Sequence, residues 1–386
     1  MKLALTSPIG GYYTRGQAFG REGDFVTSPE ISQMFTIGLG KASVFVELGP
    51  GKGTLMSDIL RISRRFPDFA KSLSHVHLVE TSPKLREVQA QKLGCSTTGL
   101  QFQQPTITAT SQIYSVPVTW HHSIDEISLL EGKSESVYNA EMPLVMAHEF
   151  FDALPIYRFA KTARGWQEIL VDIDESPEAP APFRFVKSRQ ETTNTAALMK
   201  KHDVYDEGEL VEISPESGAV MGSIAKLVDR GRGVGLVIDY GQDWSKGDTF
   251  RGIRKHKFAN PLEAPGTMDL TADVDFSFLR RSADGLGKLY AKCFGPVEQG
   301  KFLHAMGIQY RLQQLVQSAS DAKIRQDLIE AYKRLVGTHS MGSIYKVMSV
   351  VSRDYPPNLS PPVAFESAHE RQEGTTKYTP AGPPTS

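Results

Sequence analysis

Cysteine is scarce in this chain, and the sequence has neither a strong net charge nor a long apolar run. Cys95 and Cys293 are too few for a disulfide framework or a cysteine-based zinc site, which favours a reducing compartment. The formal net charge of −1 excludes the basic field that attracts bulk nucleic acid or an anionic membrane. No apolar run reaches the roughly 18 residues of a membrane span. The expected partner is therefore a protein or a small molecule.

The first residues carry no recognisable targeting segment. The stretch from Met1 to Thr6 is too short for a signal peptide and lacks the arginine-rich length of a transit peptide. Hydrophobic residues make up 40% of the 386 positions, as in a globular chain. This length is enough for one large α/β core or two small ones.

The most informative stretch is a short apolar segment that breaks into glycines. Val44 to Leu48 predicts a buried parallel strand, and an amphipathic helix is predicted to begin near Gly53. The glycines occupy alternate positions: Gly49, Gly51 and Gly53. Glycine permits a positive φ and lets a ligand lie directly on the main chain. The pattern therefore predicts a tight loop built for close approach of a ligand.

One acid precedes this loop, and a second follows the next predicted strand. Glu47 stands two residues before the first glycine, where a carboxylate would repel the pyrophosphate of a dinucleotide. It suits a ligand with a cationic amino group and a sulfonium, which describes S-adenosylmethionine. Glu80 ends the predicted strand at 76–79 and can accept both ribose hydroxyls, although a helix N-terminal acid is the alternative. These features predict a methyltransferase with S-adenosyl-L-methionine as cofactor.

The remaining pattern predicts an α/β sheet with insertions. Further strands are predicted at 116–120, 142–147, 234–238 and 345–351, and helices at 54–66, 83–93, 215–229, 275–282, 298–306, 308–318 and 321–335. An antiparallel insertion is predicted at 157–159, 167–173 and 183–187, after which the sheet is expected to resume at 209–213. The predicted domains are a cap segment at 1–42, a methyltransferase domain at 43–352 with insertions at about 156–207 and 242–330, and a disordered tail at 353–386.

Three polar side chains follow the predicted strand at 142–147: His148, Glu149 and Asp152. Ligands of doubly wound sheets bind beyond the carboxyl ends of the strands, so we expect these residues to face the reactive end of the cofactor. Glu149 and Asp152 are three apart, and on a helical turn they could grip an arginine guanidinium as a pair. Alternatively, Asp152 caps the turn and Glu149 pairs with a lysine.

Two further residues near this stretch are open to more than one interpretation. His148 is a candidate proton acceptor or a structural histidine at the strand end. Asp239 follows the predicted strand at 234–238 and is a third candidate acid. We expect it chiefly to orient the turn-rich excursion at 242–271 that comes after it.

Six stretches are specific in combination: Gly11–Tyr13, Gly23–Ser32, Glu47–Leu55, Ala147–Pro155, Asp239–Gly241 and Leu270–Phe276. Together they resemble the MidA family, whose members are mitochondrial protein arginine methyltransferases that act as complex I assembly factors. The resemblance implies a class I methyltransferase fold, with a Rossmann-like doubly wound sheet, and S-adenosyl-L-methionine as methyl donor. It further implies type II activity, the symmetric dimethylation of an arginine in the large core subunit of the complex I peripheral arm, in the mitochondrial matrix.

The matching motifs also imply site residues. The cofactor side would comprise Glu47, Gly49, Gly51, Gly53 and Glu80, with Thr27 and Ser28 in the segment beside it, and the acceptor side His148, Glu149 and Asp152. No metal site is predicted, and a homodimer is compatible with these features. The alternatives are a methyltransferase with a different acceptor and a non-catalytic assembly chaperone on the same fold. The stretch between Phe35 and Val44 is shorter than in family members, which strengthens the chaperone alternative, while the arginine methyltransferase stays the leading hypothesis.

Overall fold

The computed structural model describes most of the chain from residue 42 to residue 355. The described residues are 1, 4–5, 42–129, 141–199, 206–255, 257–285, 290–355, 362 and 364–365. Thr27 and Ser28, expected beside the cofactor, lie outside these residues, as do most of the cap segment and of the C-terminal tail.

The first half of the described chain alternates strands with helices, as its apolar pattern predicts. Its elements are β1 (Ser43–Leu48), α1 (Thr54–Ser63), α2 (Pro67–Ser72), β2 (Leu73–Val79), α3 (Pro83–Lys92), β3 (Ile107–Ser111), β4 (Val116–His121) and β5 (Met142–His148). All of β1 is buried, which explains why its apolar residues run without alternation. A single 3₁₀ turn, Ile124–Glu126, follows β4.

The second half contains two added sheets and a group of helices. Its elements are β6 (Tyr157–Thr162), β7 (Gly165–Ile173), β8 (Phe183–Lys187), α4 (Thr193–Leu198), β9 (Leu210–Ile213), α5 (Pro215–Gly231), β10 (Val234–Gln242), β11 (Arg251–Arg254), β12 (Lys257–Ala259), β13 (Asp269–Thr271), β14 (Val274–Asp275), α6 (Phe276–Ala283), β15 (Ala291–Glu298), α7 (Gln299–Ala305), α8 (Ile308–Ser318), α9 (Ala322–Val336), α10 (Met341–Ile344) and β16 (Tyr345–Ser352). None of the helices in the described ranges combines the length and apolar character needed to cross a membrane.

The main sheet places the ends of β1 and β5 side by side. Within the described residues it has nine strands, in the order β15-β16-β10-β5-β1-β2-β4-β3, with β14 paired to β10. The strands β10, β5, β1, β2 and β4 are parallel. The chain moves from β1 outward to β2 and β4, then returns to the other side of β1 through β5 and β10. The boundary between β1 and β5 is thus the topological switch point, where ligands of such sheets bind.

Alternate side chains of β1 anchor one helical layer on each face of the sheet. Phe45 contacts Phe69 of α2 with ring centroids 5.8 Å apart. Val44 and Val46 point to the opposite face and pack in a cluster with Met221 of α5. Each apolar side chain fully buried in this way contributes about 1.5–3 kcal/mol of transfer free energy. The two layers therefore hold β1, and the loop that follows it, in a fixed position.

The structure confirms the predicted antiparallel insertion, but it adds to that sheet one strand that the sequence predicts for the main sheet. In the described residues the insertion has the order β8-β7-β6-β9. The expectation that the main sheet resumes at 209–213 is wrong, because Leu210–Ile213 pairs with Tyr157–Ala160 of β6. Phe159 and Val211 face each other across this pair, and both are buried. Alternation predicts a strand with one buried face, but it does not tell which sheet buries that face.

Candidate functional site

Three glycines in left-handed backbone close the loop between β1 and α1. The φ angle is +63° at Gly49, +53° at Gly51 and +75° at Gly53. Any other residue in this conformation would lose roughly 1–2 kcal/mol. Gly49 is also covered by Phe150, because a Cβ atom at position 49 would lie 2.9 Å from Cδ2 of that ring. The glycine loop and the segment after β5 are therefore in direct contact.

Glu47 is a buried acid with an unsatisfied oxygen at the end of β1. Its fractional exposure is 3%. No donor among the described residues reaches its Oε2. Burial raises the pKa of Glu47 to about 8. Because a buried polar atom without a partner is unfavourable, a cationic ligand group placed here would be stabilised.

Glu80 follows β2 directly beside the glycine loop. Parallel pairing places Val79 opposite Leu48, and the amide of Gly49 donates to the Val79 carbonyl at 3.0 Å. The Glu80 carboxylate accepts from the Ser82 amide at 2.8 Å, and Ser82 is the N-cap of α3. The helix-terminus interpretation of Glu80 is thus correct in part. Burial nevertheless raises the pKa of Glu80 to about 7, so the acid is not stabilised as an anion by the helix alone.

Gln89 of α3, which we did not identify from the sequence, connects the loop to Glu80. Its Nε2 donates to the Gly51 carbonyl at 2.7 Å and to Oε2 of Glu80 at 3.2 Å. The indole N–H of Trp120 donates to the other end of the amide at 2.9 Å. That contact sets the orientation of the amide, since only its oxygen can accept. A glutamine within a polar helix resembles any surface residue in sequence, and only its burial marks it out.

The residues after β5 form a bend and not the expected helical turn. Glu149 has a φ of +50°, a left-handed conformation that is uncommon outside glycine and costs of order 1–3 kcal/mol. Its amide donates to the Ile238 carbonyl at 2.9 Å, which holds the bend against β10. Burial, and next the charge of Asp152, raise the pKa of Glu149 to about 8. The bend therefore brings the two carboxyl groups close enough for the charge of Asp152 to raise the pKa of Glu149, although the two residues do not lie on a helical turn.

Asp239 of β10 holds this bend in place. Its Oδ2 accepts from the amides of Phe151 at 3.0 Å and Asp152 at 3.2 Å, and its Oδ1 accepts from the Tyr240 amide at 3.0 Å. We expected Asp239 to orient the excursion that follows it. Its main partners instead belong to the bend after β5, because the parallel strands β5 and β10 end at the same edge of the sheet.

Asp152 presents one engaged and one unsatisfied oxygen. Its Oδ2 accepts hydrogen bonds from the hydroxyl of Tyr240 and from that of Thr271, the latter at 2.7 Å. Its Oδ1 is buried and meets no hydrogen-bond donor of suitable geometry in the described residues. Burial raises the pKa of Asp152, and the two hydroxyls oppose that rise. The free oxygen is therefore available to a buried donor group.

Glu149 contacts a tyrosine and a histidine and not the lysine considered above. Tyr345, the first residue of β16, acts on its carboxylate as a hydrogen-bond donor and lowers its pKa. Nε2 of His148 lies 3.7 Å from Oε1 of Glu149. Burial lowers the pKa of His148 to about 4, so its imidazole is neutral near pH 7. A neutral imidazole adds no positive charge to this acidic surrounding.

Among the described residues, acidic side chains outnumber basic ones around the bend. Asp152 and Asp269 raise the pKa of Glu149, while Arg334 acts in the opposite sense. Arg251 lies over the Tyr240 ring, with its guanidinium carbon 5.0 Å from the ring centre, and donates to Asp273 at 2.7 Å and to the Thr249 carbonyl at 2.8 Å. Its charge also opposes the rise in the pKa of Asp152. The acids near Glu149 therefore form a surface suited to a cationic group.

Comparison with known proteins identifies one family. A family of S-adenosyl-L-methionine-dependent methyltransferases matches residues 31–295. The mitochondrial protein named protein arginine methyltransferase NDUFAF7 is 40% identical in Danio rerio, over 91% of this chain and 82% of that protein. The Homo sapiens protein of the same name is 38% identical, over 91% and 78% respectively.

A solved structure agrees with these relatives. The chain is similar to a crystal structure from Burkholderia thailandensis with S-adenosyl-homocysteine bound, at a TM-score of 0.68 and 26% identity, covering 91% of this chain and 86% of that chain. The predicted class I fold is confirmed by this likeness and by the mostly parallel main sheet. The chain belongs to the MidA family of S-adenosyl-L-methionine-dependent methyltransferases.

Proposed function

We propose that this protein is a type II protein arginine methyltransferase, which symmetrically dimethylates an arginine in the large core subunit of the complex I peripheral arm. The observation that carries the arginine assignment is the pair of acids at the topological switch point of the sheet, the partly buried Glu149 and the buried Asp152. The relatives named above as mitochondrial protein arginine methyltransferases support it, and so does the resemblance stated from sequence. The same names support a mitochondrial location, and the matrix within it is what the family resemblance implies.

The residues around the glycine loop fit the cofactor. The unsatisfied oxygen of Glu47 would receive a cationic group, and Glu80 would accept the ribose hydroxyls. The left-handed glycines keep the main chain accessible between the two acids. When bound, S-adenosyl-L-methionine supplies an electrophilic methyl group on its sulfonium.

The acids after β5 would hold the acceptor. An arginine guanidinium is cationic at any ordinary pH, so a neutral nucleophile requires removal of a proton as the new N–C bond forms. Oδ1 of Asp152 offers a free buried acceptor for one N–H. Glu149, whose pKa is about 8, is a stronger base than an ordinary glutamate and would take the proton. A bound guanidinium also favours the ionised form of both acids.

Mass spectrometry tests the proposed substrate and product. The protein is incubated with methyl-deuterated cofactor and with arginine peptides that cover the large core subunit of the peripheral arm. We expect label on a guanidinium nitrogen, and fragmentation that releases monomethylamine, as symmetric dimethylarginine does. Release of dimethylamine would contradict type II activity, and label on any other group would contradict the arginine assignment. A folded protein that binds no cofactor would favour the non-catalytic chaperone.

The raised pKa values on the cofactor side predict pH-dependent binding. Burial raises the pKa of Glu47 to about 8 and that of Glu80 to about 7, so both acids are partly protonated in the free protein near pH 7. A cationic ligand favours their ionised forms, so binding releases protons and affinity rises with pH. Calorimetric titration should show tighter binding of S-adenosyl-L-methionine as pH increases from about 6 to about 7.5. In Glu47→Gln this dependence should weaken, and equal slopes for the two proteins would contradict the assignment of Glu47.

Loss of the Gln89 amide should weaken cofactor binding. In Gln89→Leu the glycine loop and Glu80 lose their shared donor, and the Glu80 carboxylate loses one hydrogen bond. We expect affinity for S-adenosylhomocysteine to fall about tenfold, since one hydrogen bond to a charged group is worth about 1.5–3 kcal/mol. Gln91→Leu is the matched control, because Gln91 lies on the exposed side of the same helix. Similar affinities for the two variants would remove Gln89 from the cofactor site.

A further inference from the structure

Two tyrosines face each other across neighbouring strands beside the acidic bend. Tyr240 of β10 lies opposite Tyr345 of β16 in the antiparallel register. Their ring centroids are 5.5 Å apart and their planes meet at 77°, an edge-to-face arrangement that aromatic pairs favour. The spacing between the two rings is therefore set by the backbone hydrogen bonds of the sheet.

Each of these tyrosines serves one carboxylate. Tyr240 donates to Oδ2 of Asp152, and the Tyr345 hydroxyl lowers the pKa of Glu149 as a hydrogen-bond donor does. Burial and the nearby carboxylates raise the pKa of both tyrosine hydroxyls well above the usual value, so both remain protonated donors. A hydrogen bond donated to a carboxylate favours its ionised form. The two acids are thus held by two donors whose separation is fixed.

We infer that Tyr240 and Tyr345 are positioning residues of the acceptor site, whose cross-strand pairing sets how Asp152 and Glu149 are spaced and oriented toward a guanidinium. This inference rests on the proposed function for the identity of the substrate, an arginine guanidinium. The contacts of the two tyrosines are independent of that function. A guanidinium is planar and presents donors along more than one edge. Two carboxylates held at a fixed spacing bind such a group with less loss of entropy than two mobile ones.

Thr271 reinforces the arrangement on the Asp152 side. Its hydroxyl also contacts the Tyr240 hydroxyl and donates to Oδ2 of Asp152 at 2.7 Å. Two donors therefore occupy the same carboxylate oxygen. The carboxylate is turned so that Oδ1 is the oxygen left for a substrate. In the described part of the chain no donor reaches Oδ1 with full hydrogen-bond geometry, although the Ala153 amide lowers the pKa of this carboxyl.

Several charged or titratable groups act on Glu149 besides Tyr345. They are His148, Asp152, Asp239, Asp269 and Arg334. Asp152 and Asp269 oppose ionisation of Glu149, whereas Arg334 and Tyr345 favour it, and Glu149 in turn raises the pKa of Asp239. Removing the Tyr345 hydroxyl leaves the other groups in place. The pKa of Glu149 should therefore rise in Tyr345→Phe.

Infrared difference spectroscopy tests this consequence without any substrate. The carboxyl band of Glu149 is assigned by its loss in Glu149→Gln and is followed through a pH titration in wild type, Tyr345→Phe and Tyr114→Phe. The control residue Tyr114 donates its hydroxyl to the Ser57 carbonyl at 3.1 Å, in the turn before β4 and away from the bend. We expect the midpoint of Glu149 to move up by about one to two pH units in Tyr345→Phe alone. An unchanged midpoint would overturn the inference.

Steady-state kinetics with an arginine peptide provide a second test of the inference. In Tyr345→Phe and Tyr240→Phe we expect kcat/KM to fall about tenfold to a hundredfold while the affinity for S-adenosylhomocysteine stays unchanged. The acid limb of the pH profile should move to higher pH in Tyr345→Phe. Wild-type kinetics in both variants would also overturn the inference. If wild type methylates no arginine peptide, the proposed function fails, and the infrared titration still decides whether Tyr345 controls Glu149.

Discussion

Glu149→Gln should abolish arginine methylation while leaving cofactor binding intact. Glutamine keeps the shape of the side chain and its hydrogen bond with Tyr345, but it removes the negative charge and the base. Loss of a general base alone typically lowers the rate about 10²–10⁴-fold, and loss of a buried counter-charge for the guanidinium adds to this. We therefore expect kcat/KM for an arginine peptide to fall at least about 10³-fold. Radiolabel transfer from the cofactor measures the rate, and calorimetry measures cofactor affinity.

The control for this variant is Glu175→Gln. Glu175 is an exposed acid in the antiparallel insertion, so its substitution removes the same charge from the chain outside the site. Both variants should bind S-adenosylhomocysteine as wild type does. Turnover in Glu149→Gln equal to that of the control would show that another group holds and deprotonates the acceptor.

Gly51→Val should prevent cofactor binding. The backbone at Gly51 has a φ of +53°, which a β-branched residue adopts only with strain, and its carbonyl is the acceptor for the Gln89 amide. The added side chain would also stand between the ligand and the main chain that it is expected to contact. We expect the affinity for S-adenosyl-L-methionine to fall at least about a hundredfold, since the clash and the displaced loop act together. Calorimetric titration provides the measurement.

Gly99→Val separates the ligand effect from backbone strain. Gly99 has a φ of +80°, and among the described residues no atom lies within 4 Å of a Cβ built there. The two variants should therefore share a backbone-strain cost of roughly 1–2 kcal/mol in chemical unfolding, and the buried Gly51→Val should lose at least as much stability as the exposed Gly99→Val. Gly99→Val should retain cofactor binding. Normal affinity in Gly51→Val would place the cofactor away from this loop.

Local pattern was sufficient to predict β1, the glycine loop that follows it and the placing of two acids beside that loop. A continuous apolar run requires a strand covered on both faces, and glycines at alternate positions require a turn with positive φ. The structure shows both features, with all six residues of β1 buried and three left-handed glycines after it. The parallel pairing of β1 with β2 then brings Glu80 beside Gly49. Each of these steps depends on residues that are close in sequence or on a general rule for parallel sheets.

The acceptor side depends on contacts that sequence spacing does not specify. The spacing of Glu149 and Asp152 suggested a helical turn, whereas Asp239 draws the segment into a bend by binding two of its amides. Tyr345 reaches Glu149 only because β16 pairs antiparallel with β10 in one particular register. A shift of one residue would turn that side chain to the other face of the sheet. The hydroxyl groups that act on Glu149 and Asp152 could therefore not be predicted from sequence spacing, whereas the two acids could be singled out from their place after a predicted strand.

A crystal structure with S-adenosylhomocysteine and an arginine peptide would test the central claim most directly. We expect the nucleoside to bind against residues 47–53 with its ribose at Glu80, and the guanidinium to lie between Glu149 and Oδ1 of Asp152. A nucleoside bound elsewhere, or a guanidinium that contacts neither acid, would contradict it.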